Sequence, residues 1–165
     1  MSWRKLGTSS ASLKNGAMNV ILAAEHGIQG LYEMFRGAME GHVNASRREA
    51  WNDARERKQF YEQLSVPSIR VIRVDDAIAG FIDFRLGHDN CRLHTMIIDP
   101  EWQSRGVGAI VIDRLRNEAQ ALNQPLLLSV LKANPRARAF YEREGFGITS
   151  STQDHDHMTW PDGAR

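Results

Sequence analysis

The sequence predicts an α/β domain, of the α+β type with a mixed central sheet, in the order β-α-α-β-β-β-α-β-α-β-β. Three observations predict this fold class. The alternating β-branched run IRVIRV at 69–74 begins a series of three strands. The near-continuous apolar run LLLSVL at 126–131 is typical of a strand covered on both faces. An amphipathic helix between these two regions completes a strand-helix-strand unit, which predicts one right-handed parallel crossover.

The first elements are a short strand and two helices. The apolar run VILA at 20–23 predicts the strand, and apolar residues recur at helical spacing over 27–39 despite three glycines. A second helix is predicted over 47–64, where the outer face is charged. Its inward-facing residues are expected to be Trp51, Phe60 and Leu64. It ends at Val66-Pro67, because a residue before proline disfavours the helical conformation.

Three strands follow the helices. The runs at 69–74 and 77–86 flank Asp75-Asp76, and this arrangement predicts a β-hairpin. The run CRLHTMII at 91–98 predicts the third strand, which Pro100 ends because proline cannot donate to the ladder of hydrogen bonds.

A long helix opens at Gly108 and leads to the strand at 126–131. One apolar face is predicted from residues spaced three, four and three apart. The residues of that face are Ile112, Leu115, Ala119 and Leu122.

The last helix has start and stop signals of its own. Asn134 suits its N-cap, Pro135 its first position and Gly145 its end. Two short strands, at 146–151 and 155–160, complete the predicted fold.

Length and composition narrow the class of protein. The 165 residues suit one domain, and 42% hydrophobic with 25% charged residues is typical of soluble globular proteins. A net charge of +1 gives no long-range reason to expect nucleic acid or membrane as a partner. No apolar stretch reaches the roughly 18 residues that span a bilayer. We expect a cytoplasmic protein with an N-terminal extension at 1–17 and one domain at 18–165.

The segment QSRGVG at 103–108 joins a predicted strand to a predicted helix. Helix N-termini offer unpaired N–H groups, and glycines let the backbone approach a ligand closely. This combination predicts a phosphate site, to which Arg105 adds positive charge. The segment lacks the Lys-Ser/Thr ending of a P-loop and the third glycine of a dinucleotide-binding fingerprint. The sequence therefore predicts phosphate binding without nucleoside triphosphate hydrolysis.

Two segments carry a resemblance to a known family. IDPEWQSRGVG at 98–108 resembles the Q/R-x-x-G-x-G/A segment of the GNAT superfamily of acetyl-CoA-dependent N-acetyltransferases. NPRARAFYEREGF at 134–146 is similar to that family's N-P-x-A-x-x-x-Y-E-x-x-G-F segment. They stand on either side of one crossover helix and strand, in the order the family has them. The resemblance implies a GNAT-like fold, with helices on both faces of the sheet.

The resemblance implies acetyl-CoA as co-substrate and assigns residues to it. Backbone N–H groups of the turn would hold the pyrophosphate, the strand at 96–98 would pair with the pantetheine arm, and Asn134 would contact the cofactor. Tyr141 would protonate the leaving thiolate. The implied cofactor-binding residues are Met96, Ile97, Ile98, Gln103, Ser104, Arg105, Gly106, Val107, Gly108, Ala109 and Asn134.

The general base is not supplied by the resemblance. Family members often carry a glutamate at positions that match Arg92 and Ser129, and neither residue is a carboxylate. His94 could accept a proton directly or through a water, and Asp83 and the turn at Asp89 are weaker alternatives. Direct attack by an amine needs no metal. His155 and His157 would share one strand face, but an exposed terminal strand explains them as well.

These observations favour an N-acetyltransferase that acts on a primary amine of a small molecule or peptide. The alternative is a catalytically silent acyl-CoA sensor or interaction module with the same fold, which the missing carboxylate would suit. A nucleic-acid-binding protein has little support, since no basic stripe with interleaved aromatics is present. The acceptor is expected at the first two helices and the last hairpin, with loops at 37–44 and 149–156. A homodimer is expected only by analogy with such folds.

Overall fold

The computed structural model describes residues 20–23, 30–46, 50–63, 66–75 and 77–161. The predicted extension at 1–17 lies outside them, so the division at residue 18 stays a prediction. The strands are β1 (Val20–Ala23), β2 (Ile69–Val74), β3 (Ala77–Leu86), β4 (Cys91–Ile98), β5 (Leu126–Leu131), β6 (Gly147–Ser151) and β7 (His155–Trp160). The helices are α1 (Leu31–Ser46), α2 (Asp53–Gln63), α3 (Val107–Ala121) and α4 (Pro135–Arg143). The predicted order of elements is confirmed.

All seven strands form one mixed sheet, in the order β1-β2-β3-β4-β5-β7-β6. Among the strands that the structure describes, β4 and β5 alone pair in parallel, and α3 is the helix of the crossover between them. The other neighbouring strands are antiparallel. The predicted mixed sheet with one parallel connection is therefore confirmed.

The parallel pair opens partway along its length. The register of β4 with β5 ends at Leu93 and Leu128, although both strands continue beyond these residues. At the same level, β4 carries a bulge against β3, because Thr95 pairs with Asp83 and Leu93 with Phe84. His94 is the extra residue of this bulge. A bulge bends its strand and increases the local twist, which accounts for β4 turning away from β5 here.

Helices pack on both faces of the sheet. On one face, α3 and Tyr141 of α4 pack on a core that includes Phe84, Leu128 and Met158. On the other face, α1 and α2 pack through Tyr32 and Phe60 on strand residues that include Phe81 and Ile97. The sheet thus separates an α3/α4 face from an α1/α2 face.

The limits of the first two helices differ from the prediction. The first helix begins at Leu31 and continues to Ser46, so the predicted loop at 37–44 is helical. The helix continues through Gly37 and Gly41, because packing of its inner face on the core outweighs their low helix propensity. The second helix begins at Asp53, after Asn52 accepts a hydrogen bond from the Arg55 N–H at 3.0 Å.

Two predictions of burial are wrong. Leu122 follows the end of α3 and is 48% exposed, whereas Ile112, Leu115 and Ala119 are fully buried. The face of β5 that carries Ser129 is open, so this strand is covered fully on one face only. The apolar run therefore predicted the strand correctly, but its prediction that both faces of the strand are buried is wrong.

Two glycines in helices should respond in opposite directions to alanine. Gly37 lies on an exposed part of α1 with open space around it, so Gly37→Ala should stabilise the protein by about 0.5–1 kcal/mol. A Cβ at Gly108 would stand 3.2 Å from Phe140 and 3.3 Å from Ile98, so Gly108→Ala should destabilise it by about 1 kcal/mol. Urea unfolding measures both changes, and equal effects would contradict this account.

Within the described residues, no helix has the length and apolar character needed to cross a membrane.

Candidate active site

A cavity of about 380 Å³ lies where β4 and β5 separate. Strands form its floor, α1 and α2 one wall, and the start of α4 the other. Its lining includes Phe35, Met39, Val43, Glu56, Gln59, Phe60, Gln63, Asp83, Arg85, His94, Thr95, Met96, Ile97, Ser129, Asn134, Tyr141 and His155. The opening of the sheet therefore joins the two faces in one cleft.

The turn before α3 presents a row of free backbone donors. Gly106, at φ 84°, is the N-cap of α3 and makes no side-chain cap, and Ser104 also has a positive φ of 60°. The first helical bond runs from the Ile110 N–H to the Gly106 carbonyl, at 3.1 Å. No described residue accepts a hydrogen bond from the backbone N–H groups of 104–109. Such a turn at a helix N-terminus suits a phosphate anion.

Side chains around the turn fix its shape and add positive charge. Gln103 donates from Nε2 to the Ile98 carbonyl at 2.8 Å, which ties the turn to the end of β4. Arg136 of α4 donates to Ser104 Oγ at 2.9 Å, and the Arg105 guanidinium lies 5.4 Å from the centre of the Trp102 ring. The two guanidinium groups complement an anionic ligand.

Asn134 and Tyr141 lie on the wall that α4 contributes. Asn134 caps the helix, accepting the Ala137 N–H at Oδ1 at 3.0 Å. Its Nδ2 makes no hydrogen bond to a described residue. Tyr141 is 9% exposed, between the rings of Phe140 and Phe146, and its hydroxyl likewise has no described partner. Burial raises the pKa of the Tyr141 phenol, so it stays protonated through neutral pH.

Comparison with known proteins connects this cleft to a family. The family model described as "Acetyltransferase (GNAT) domain" matches residues 14–162. The chain belongs to the GNAT family. Membership supports acetyl transfer as the general reaction and acetyl-CoA as the co-substrate. The resemblance predicted from the two sequence segments is thereby confirmed.

Individual relatives show how far the likeness extends. The [ribosomal protein bS18]-alanine N-acetyltransferase of Salmonella typhimurium is 32% identical over 76 residues, or 46% of this chain. The match spans about half of that relative's length, 51%. Two solved GNAT-like structures share the fold. The PaiA N-acetyltransferase of Thermoplasma acidophilum, in complex with coenzyme A, is 14% identical over 86% of this chain and 98% of its own, with a TM-score of 0.64. Naa50 of Arabidopsis thaliana, in complex with the bisubstrate analogue CoA-Ac-MVNAL, is 17% identical over 85% of this chain and 97% of its own, with a TM-score of 0.56.

His94 reaches the GNAT cleft through the bulge of β4. Its ring is exposed on the cleft wall and has no hydrogen-bond partner among the described residues. Partial desolvation, followed by the positive charge of Arg85, lowers the pKa of the imidazole, so the ring is neutral at neutral pH. It can accept a proton, but with reduced affinity.

The other predicted acidic candidates are placed less well. Asp83 lines the cleft but is 3% exposed and engaged by Arg85 at 2.7 Å and by Ser68 at 2.6 Å. Asp89 lies in an exposed turn, bonded to His88 at 2.7 Å, and is not part of the cleft lining. Arg92, one of the two positions that match a family glutamate, is also outside the lining.

Ser129, the other matching position, lines the cleft and has an unexpected partner. Its Oγ lies 2.7 Å from Nδ1 of His157 on the neighbouring strand β7. The sequence predicts the acceptor at the first two helices, which form one wall of the cleft. Glu56 on that wall, which is 6% exposed and 3.2 Å from Arg55 Nη2, was not among the predicted site residues. The signal in the sequence was spacing, because Glu56 is four residues before the inward-facing Phe60 and so lies on the same side of the helix.

The described part of the chain has no cluster of side chains that could bind a metal ion. No group of three or more His, Cys, Asp or Glu side chains is placed to hold an ion there. His155 lines the cleft, whereas His157 is bonded to Ser129.

Proposed function

We propose that this chain transfers the acetyl group of acetyl-CoA to a primary amine by direct attack, with Tyr141 as the general acid. One observation carries the proposal. A protonated tyrosine hydroxyl with no described partner lines the cleft where the parallel strands separate, and a turn rich in free N–H groups lies at the start of α3. A cofactor held at the turn and along the opened strand would bring its thioester to this hydroxyl.

The residues present fit coenzyme A. The N–H groups of 104–109 and the guanidinium of Arg105 would hold the pyrophosphate, and Gly106 leaves open space where a side chain would intrude. Beyond Leu93, no strand of the described residues pairs with the β5-facing edge of β4, so Met96 to Ile98 can pair with the amide groups of the pantetheine arm. The free Nδ2 of Asn134 can donate to the same arm.

The reaction requires these residues to position the two reactants, to take a proton from the amine and to give a proton to the sulfur. The amine nitrogen attacks the thioester carbonyl carbon, the C–S bond breaks and the sulfur takes a proton from the Tyr141 hydroxyl. Positioning of two reactants can supply about 7–11 kcal/mol, and general acid or base groups about 10²- to 10⁴-fold. The neutral His94 is one candidate base for the amine, acting directly or through a water.

We further propose that the acceptor is the α-amine of a peptide rather than a polyamine. The α1/α2 wall presents mainly uncharged groups, such as Phe35, Met39 and Gln59. The carboxylate that it contributes to the cleft lining, Glu56, lies 3.2 Å from Arg55, and Asp83 on the neighbouring strand β3 lies 2.7 Å from Arg85. A polycation would need unpaired carboxylates, and the described residues of this wall place none in the cleft lining. The bS18-alanine activity of the Salmonella relative is consistent with a peptide acceptor.

The test measures release of coenzyme A from acetyl-CoA with matched amines. Peptides with a free N-terminus should support turnover, the same peptides blocked at the N-terminus should not, and spermidine should be a poor acceptor. Binding of acetyl-CoA without turnover on any amine would favour the silent sensor instead. Faster turnover with spermidine than with every peptide would overturn the acceptor assignment.

A further inference from the structure

We propose that Ser129 and His157 form the proton relay that deprotonates the acceptor amine. Ser129 Oγ would take the proton of the amine while passing its own proton to His157 Nδ1. This inference rests on the proposed function, since a relay has a role only if an amine attacks the thioester. Ser129 would contact the amine directly. His157, which does not line the cleft, would act through Ser129 by accepting its proton.

The pair stands at the opening of the parallel strands. Ser129 is the first residue of β5 beyond the last pair with β4, and it lines the cleft. It lies opposite His157 in the β5–β7 register, with 2.7 Å between Oγ and Nδ1. The register of two adjacent strands therefore fixes the hydrogen bond, and no flexible loop has to bring the groups together.

The relay lies across the sheet from the general acid. Leu128 and Met158, the chain neighbours of Ser129 and His157, are buried in the core of the α3/α4 face, which also contains Tyr141. Since successive side chains of a strand point to opposite faces, Ser129 and His157 point to the α1/α2 face. The α1/α2 wall of the cleft, where the acceptor is proposed to bind, lies on that face. The relay and the general acid therefore reach the cleft from opposite faces of the sheet.

Other groups on the acceptor side are less suited to this step. His94 has no described partner to orient its ring, and its lowered pKa reduces its affinity for a proton. Asp83 and Glu56 are engaged by guanidinium groups, so a proton taken up there would disrupt an ion pair. The Ser129 hydroxyl is both oriented and connected to an acceptor.

Atoms and charges balance along the relay. His157 must carry its ring proton on Nε2, so that Nδ1 accepts from the Ser129 hydroxyl. As the C–N bond forms, a proton moves from the amine to Oγ and the hydroxyl proton moves to Nδ1, which leaves an imidazolium. No described residue binds Nε2 of the half-buried ring, so the imidazolium can lose its proton from there to water. Tyr141 supplies the proton for the sulfur and regains one from water.

The test compares steady-state kinetics of four variants with the best peptide acceptor. Ser129→Ala and His157→Asn should each lower kcat by about 100-fold, with little change in KM for acetyl-CoA. His157→Asn is informative because asparagine can still hold the serine by a hydrogen bond but cannot take up a proton. Ser129→Thr keeps the hydroxyl and should retain most of the rate. Ser150→Ala is the matched control and should behave as wild type, because Ser150 lies opposite His157 on β6 but is outside the cleft lining.

The double variant provides a second readout. Ser129→Ala combined with His157→Asn should lose no more than either single variant, because both act in one relay. A thermal shift with acetyl-CoA establishes that each variant is folded and binds cofactor. Wild-type kcat in either single variant, or a loss confined to His94→Asn, would overturn the relay while the proposed function stands. An inactive wild-type chain on every amine would remove both.

Discussion

Replacing Tyr141 with phenylalanine is expected to lower kcat by about 1,000-fold while acetyl-CoA binding stays near wild type. The phenol is the one buried proton donor that the structure places on the cleft wall of α4, and burial keeps it protonated by raising its pKa. Without it, the sulfur must leave as an unprotonated thiolate, and loss of a positioned general acid costs about 10²- to 10⁴-fold. Steady-state kinetics with saturating acetyl-CoA measures the change.

Replacing Tyr141 with phenylalanine should also leave the packing around the ring unchanged. The Tyr141 hydroxyl bonds to no described residue, so phenylalanine should keep the ring contacts with Phe140 and Phe146 and the thermal stability. Tyr61→Phe is the matched control, because Tyr61 is 40% exposed on α2 and outside the cleft lining. It should leave kcat unchanged. A Tyr141→Phe variant with wild-type kcat would assign the acid role elsewhere, and equal losses in both variants would indicate a general effect on the fold.

Local signals were enough for the strands and for the last helix. The limits of β2, β3, β4 and β5 match their apolar runs, since turn residues or proline stand at their ends. The helix α4 begins after Asn134 and is followed by Gly145 at φ 84°, as its cap residues predict. The turn at 103–108 lies between β4 and α3, as its glycines predicted. Each of these features depends on residues that are close together in the chain.

The residues on the α1/α2 face of the cleft are brought together by contacts between parts of the chain that are distant in sequence. Ser129 and His157 are joined by strand pairing across 28 positions, so no local pattern relates them. His94 enters the cleft because β4 bulges, and a bulge in an otherwise regular run of strand residues leaves no mark in the spacing. Helix α1 extends through two glycines because its inner face packs on Phe60 and its neighbours. Tertiary packing decided these features against local propensity.

The donors of the proposed phosphate site are backbone N–H groups, so a negative charge placed among them tests the site without removing a donor side chain. Gly106→Glu is expected to abolish the thermal stabilisation by acetyl-CoA. A glutamate there places a negative charge at the helix N-terminus, where the free N–H groups of 104–109 would otherwise meet the pyrophosphate. At about 100 times its dissociation constant, acetyl-CoA should stabilise the wild-type chain by about 2.7 kcal/mol. A loss of more than about 100-fold in affinity would remove most of that gain.

Backbone strain has to be separated from charge at this position, because Gly106 has φ 84° and any other residue is less favourable there. Gly106→Asn is the matched control, since asparagine tolerates positive φ and is neutral. It should retain much of the stabilisation by acetyl-CoA, whereas ATP should stabilise none of the three proteins comparably. If Gly106→Asn and Gly106→Glu lose the response equally, glycine is needed for the turn's shape and the charge argument is wrong. If Gly106→Glu keeps the full response, the pyrophosphate is bound away from the N-terminus of α3.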